Sequence, residues 1–138
     1  MKPSDACPSC GKKIIHREGL AWCQDHQMSE KTLQNRIVSR AKSRGWKVCH
    51  AGRGWVGNLE TGEGQFVTPM APGWPDLFLM NPNAPVKAFA IECKREVGTV
   101  EPEQWDMLQL LIACGIPAAI IRPSDLRSGA VNAMLSAR

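Results

Sequence analysis

The chain has 138 residues, 43% of them hydrophobic, which suits one compact domain with a real core. No run approaches the ~20 apolar residues of a membrane helix. The opening Met1-Lys2-Pro3-Ser4-Asp5-Ala6-Cys7 lacks the apolar stretch of a secretory signal, so an intracellular setting with reduced thiols is expected. The formal charge is +4 and uneven: residues 1–53 hold eleven Lys/Arg against four Asp/Glu, residues 54–138 six against nine, and the basic part suits a phosphate-bearing partner.

Cys7-Pro8-Ser9-Cys10-Gly11 is a C-x-x-C followed by glycine, and Cys23-Gln24-Asp25-His26 is a C-x-x-H. Two such pairs supply four N/S ligands for tetrahedral Zn²⁺, so residues 1–28 read as a zinc knuckle held by Cys7, Cys10, Cys23 and His26. His16 is the alternative fourth ligand. Four protein ligands leave no open position, which makes the zinc structural, and a stretch this short needs the metal for its folding energy. Lys2, Lys12, Lys13 and Arg17 offer phosphate contacts, while a lid packed on the first helix is the competing role. Cys49, Cys93 and Cys114 are scattered and read as ordinary buried thiols.

Ser29 offers an N-cap for a helix over 30–44 that stops at Gly45, with Leu33, Ile37 and Ala41 as its buried stripe. Trp46 to His50 alternates and predicts a first strand. Residues 51–74 are glycine-rich and read as a long loop or mobile hairpin, a feature that is often functional. Residues 75–80 predict a second strand, 81–85 a turn, and 88–94 a third strand. Pro102 opens a second helix that runs to about Cys114, with Gly115 as its stop. Residues 118–121 predict a fourth strand, and a short last helix is expected near 126–136. The expected fold is mixed α/β, with helices packed on a central sheet.

The third strand carries the chemistry. Alternation puts Glu92 and Lys94 on one face and Phe89, Ile91 and Cys93 on the other, toward the core. The preceding turn centres on residue 83 or 84. A register centred on 84 sets Asp76 opposite Glu92, with Cβ atoms ~5 Å apart. Carboxylates that close repel unless a proton or cation lies between them. Carboxylate and carbonyl oxygens are the ligands Mg²⁺ prefers, so a divalent-cation site is expected at this end of the hairpin. Glu30 heads the inward stripe of the first helix, and Gln104 shares a stripe with Met107, Leu108 and Leu111. Both stand in first turns that can approach the site.

Gly73-Trp74-Pro75-Asp76-Leu77, Ile91-Glu92-Cys93-Lys94 and Glu103-Gln104 together resemble the PD-(D/E)XK nuclease superfamily, and more narrowly the VRR-NUC family in its small stand-alone phage form. Glu30 matches the glutamate of that family's first helix, and Arg122-Pro123-Ser124-Asp125 also has the family look. The resemblance spans roughly residues 29–128, within a nuclease domain taken as 29–138. It implies that Asp76, Glu92 and the Cys93 carbonyl hold Mg²⁺ or Mn²⁺. It implies that Lys94 orients or deprotonates the attacking water, that Gln104 positions water, metal or phosphate, and that Glu30 binds metal or supports the site. Cys93 stands where an apolar residue is more usual. The expected product is a 5′-phosphate end, and a phage origin would place the protein in the bacterial cytoplasm.

His50 and Arg53 follow the first strand and are candidate phosphate contacts. Trp55 and Trp74 lie where aromatics can stack on unpaired bases, although Trp74 reads more naturally as core, as do Trp46 and Trp105. Ala130, Val131, Met134 and Leu135 offer an apolar face for a homodimer. The leading expectation is a Mg²⁺-dependent endodeoxyribonuclease, structure-selective like a Holliday-junction resolvase or nicking, acting on branched or duplex DNA. Its rivals are a zinc-dependent DNA-binding adaptor with an inactive nuclease fold and an RNA nuclease.

Overall fold

In the computed structural model, the described residues are 24–51, 54–58, 60–67 and 70–136. The elements run α1 (Gln24–Gln27), α2 (Glu30–Ser43), β1 (Lys47–His50), β2 (Gly54–Gly57), β3 (Gly64–Val67), β4 (Leu77–Met80), β5 (Ala88–Cys93), α3 (Pro102–Ala113), β6 (Ala118–Ile121), α4 (Pro123–Arg127) and α5 (Ala130–Met134). A four-stranded sheet has the order β1-β4-β5-β6, antiparallel except for the parallel β5–β6 pair, and β2–β3 form a separate hairpin. The fold is thus mixed α/β, with a mixed central sheet flanked by helices.

Cap chemistry sets the start of the longest helix. Ser29 Oγ accepts from the Thr32 amide at 3.1 Å and opens α2. Leu33, Ile37 and Ala41 are fully buried against Leu77, Leu79, Ile91 and Cys93 of β4 and β5. The other sheet face meets α3, whose Leu108 and Leu111 are buried outside that cluster. The interior accepts Trp46, whose indole donates to the Leu135 carbonyl at 3.0 Å.

Several expectations need correction. The last helix is broken in two, because Gly129 takes φ +84° between α4 and α5. Val131 and Leu135, expected on a dimer face, are fully buried in the protein's own core. Trp105, expected in the core, is 47% exposed. Of the three scattered thiols only Cys93 is buried, because Cys49 lies on the edge strand and Cys114 caps α3. The glycine-rich stretch holds the β2–β3 hairpin.

Residues 24–28 are tied to the main body. Asp25 of α1 is buried and receives Arg127 Nη2 of α4 at 2.6 Å. His26 is also buried, in α1. Cys7, Cys10, Cys23 and His16, the remaining zinc-ligand candidates, lie outside the described residues.

Candidate active site

The β4–β5 turn sets the register on which the site depends. Asn81 is buried, its amide donates to the Lys87 carbonyl at 2.8 Å, and its Oδ1 accepts from the Asn83 amide at 3.0 Å. This side-chain turn locks the hairpin, pairing Leu77 with Ile91 and Leu79 with Phe89. One step further along the same register brings Asp76 opposite Glu92. Leu77 and Ile91 face α2, so alternation turns Asp76 and Glu92 to the α3 side.

The two carboxyls meet there. Asp76 Oδ2 accepts from the Cys93 amide at 2.8 Å, and the Asp76 and Glu92 carboxyls are close enough to act on each other. Lys94 Nζ stands 3.8 Å from Glu92 Oε1 and is itself buried. Burial, followed by the charge of Asp76, pushes the Glu92 carboxyl up to about 7, with Lys94 opposing. Burial likewise raises Asp76, partly offset by the Cys93 amide. At neutral pH the pair therefore shares a proton or needs a cation. Displaced titration of neighbouring carboxyls is a mark of functional sites.

Gln104 arrives from α3. Its Oε1 accepts from the Glu101 amide at 2.9 Å, capping the helix, and its Nε2 donates to Glu92 Oε1 at 2.8 Å. One amide thus ties the start of α3 to the acid. Within the protein, the Gln104 amide is shared between the helix cap and Glu92. Gly73 lets α3 come this close: it holds φ +81°, and a Cβ there would collide with the Glu103 carbonyl.

Glu30 lies near enough for its charge to act on Asp76, Glu92 and Cys93. Among the described residues, no three His, Cys, Asp or Glu side chains gather into a metal-holding group. The oxygen donors at the site are Asp76, Glu92 and nearby backbone carbonyls. That set fits a hard divalent cation, and the unneutralised carboxyl pair is what such a cation would relieve.

Arg122 was noticed in the sequence only as part of a motif. Its guanidinium donates to the carbonyls of Arg95 at 2.6 Å and Gly98 at 2.9 Å, while Glu96 accepts from the Ser124 amide at 3.0 Å. These bonds clamp the turn that follows Lys94. An arginine directly after a strand, next to an N-capping Pro-Ser-Asp, was the available signal, but its partner was not legible. His50 is exposed at the end of β1, and Arg53, Lys12 and Lys13 lie outside the described residues.

No helix among the described residues is long and apolar enough to cross a membrane. No family model, no curated protein and no solved structure matches the chain.

Proposed function

We propose that this protein is a divalent-cation-dependent endonuclease with a PD-(D/E)XK-type core, hydrolysing DNA phosphodiester bonds at Asp76, Glu92 and Lys94. The observation that carries the reading is the opposed carboxyl pair, Glu92 buried and Asp76 half-buried, with Lys94 beside it at 3.8 Å. A structural pair would be closed by an opposite charge of equal strength. Here the cation paired with Glu92, among the described residues, is 3.8 Å away and faces two acids.

Asp76, Glu92 and the Cys93 carbonyl would hold Mg²⁺ or Mn²⁺. Such a cation, when bound, lowers the pKa of its water and neutralises phosphate charge. The chain's own groups do the rest. The Cys93 amide fixes Asp76, and Gln104 fixes Glu92. Lys94 holds the attacking water or a non-bridging phosphate oxygen, adding positive charge where the transition state is most negative. Water adds to phosphorus, the bond to the 3′ oxygen breaks, and that oxygen leaves with a proton, giving a 5′-phosphate end. Zinc on the N-terminal knuckle, and a preference for branched DNA or nicking, belong to the same proposal.

The test is cleavage of labelled four-way junction, flap, single-stranded and duplex DNA with Mg²⁺, Mn²⁺ or a chelator. Cutting that needs metal and is lost in Asp76→Asn and Lys94→Ala is the expected result. Binding without cutting under either metal would leave an inactive binding module as the better account.

A further inference from the structure

A cavity of about 220 Å³ lies beside the acid pair, lined by Cys49, His50, Ala51, Met70, Trp74 and Phe78. Apart from the His50 imidazole and the Cys49 thiol, the lining side chains are apolar. Three of its residues flank Asp76. Phe78 is two positions on along the same face, about 7 Å away at a strand's rise. Trp74 is two positions before it, and the Ala51 amide donates to the Asp76 carbonyl at 3.0 Å. The cavity therefore borders Asp76, one of the two acids of the proposed cutting site.

Its walls have a particular character. The Trp74 and Phe78 rings are stacked, with centroids 6.4 Å apart and planes at 29°. Neither ring is fully buried, so each still presents surface to the cavity. Met70, at 37% exposure, closes one side with an adaptable apolar chain. The α3 helix covers β5 and β6 on this face but not β1, the edge strand, which leaves the cavity open at the sheet's margin. The volume falls below the ~300–1,000 Å³ of a drug-sized cleft. Its volume is on the scale of a single flat ring system.

We propose that this cavity is a binding slot for one unpaired nucleobase next to the scissile phosphate, an inference that rests on the nuclease reading. A flat, neutral ring matches the aromatic wall, and stacking of this kind tolerates any base. A nucleotide with its phosphate at Asp76 and Lys94 has its base within reach of the slot. A paired base has to leave its stack to enter, so the enzyme selects DNA that is frayed, single-stranded or branched where it cuts.

The experiment uses the full protein and oligonucleotides carrying 2-aminopurine at one scanned position, single-stranded or fully paired, with a chelator present. Cleavage by the same preparation in Mn²⁺ is measured in parallel. The parent should change the emission of the unpaired probe at one position and leave the paired probe largely unaffected. Trp74→Leu should weaken single-strand binding about tenfold, equivalent to ~1.4 kcal/mol. Met70→Glu, at an exposed rim position where folding is not at stake, should do the same, while Val86→Ala at the distant turn should not. Cutting by the parent with no emission change, or with both slot variants binding like the parent, overturns the slot and leaves the nuclease standing. An emission change without cutting in Mn²⁺ overturns the nuclease and leaves a base-binding slot. Neither cutting nor binding overturns both.

Discussion

Asp25 and Glu92 are buried to the same extent, each 3% exposed, yet their charges are closed in opposite ways. Asp25 meets Arg127, which comes from 102 residues further along the chain and donates at 2.6 Å. Glu92 meets another carboxyl, with a lysine at 3.8 Å and an uncharged amide as its other partners. A guanidinium closes the first pair. In the second the protein accepts like-charge repulsion inside its own fold. Burial alone therefore does not distinguish these two acids, whereas the way the charge of each is closed does.

The largest expected effect breaks this comparison at the level of chemistry. Lys94→Ala and Asp76→Asn should each lower metal-dependent cutting by about 10²–10³-fold or more, while Arg127→Met should leave the rate per folded molecule unchanged. Single-turnover cleavage with enzyme in excess reads both. Loss of cutting in Arg127→Met at full folding would erase the distinction between the two acids.

Stability should show the reverse order. Arg127→Met should destabilise by about 2–3 kcal/mol, below the 3–5 kcal/mol of a wholly buried pair because the Arg127 side chain is half exposed. Glu92→Gln should stabilise the metal-free protein at pH 8 by about 1–2 kcal/mol, because it removes one of two repelling charges and keeps a polar group for Gln104. Urea denaturation of both variants in a chelator is the check. A destabilised Glu92→Gln would mean that the pair is structural.

The smallest effect is a pH dependence. Between pH 4.5 and about 7 the folded protein keeps a proton on Glu92 that the unfolded chain has released. Metal-free stability should therefore be greatest at the acidic end of this window and fall as pH rises through it. Asp76, also raised, adds in the same direction. Mg²⁺ or Mn²⁺ should raise the melting temperature more at pH 8 than at pH 5.5, since carboxylates must be ionised to bind it. Thermal melts across this range, with and without metal, would show whether the slope exists and whether the cation removes it.

Much of this site could be read without the structure because hairpin geometry is local. Strand alternation and a turn centred on 84 are enough to oppose Asp76 and Glu92, and the observed register follows that count. The Leu33, Ile37 and Ala41 stripe was equally legible, because 3.6-residue periodicity is written in consecutive positions. Trp105 shows where this stops. It sits on a helix that covers only part of a sheet face, and what lies opposite each side of a helix is not encoded in its own period. The break at Gly129 has a related reason, since a glycine within a helical pattern marks a left-handed turn only when the flanking segments pack at an angle.

The amino-acid sequence by itself determined the elements of the sheet, the register of its central hairpin and the residue types opposed at its end, because each depends on neighbours a few positions apart. Tertiary structure alone decided that Gln104 is shared between a helix cap and Glu92, that Arg122 clamps the turn after Lys94, and that Trp74 faces a cavity instead of the core. Those outcomes depend on which surfaces remain uncovered once helices and strands distant in the chain have packed, and burial sets the energy of every charge left between them.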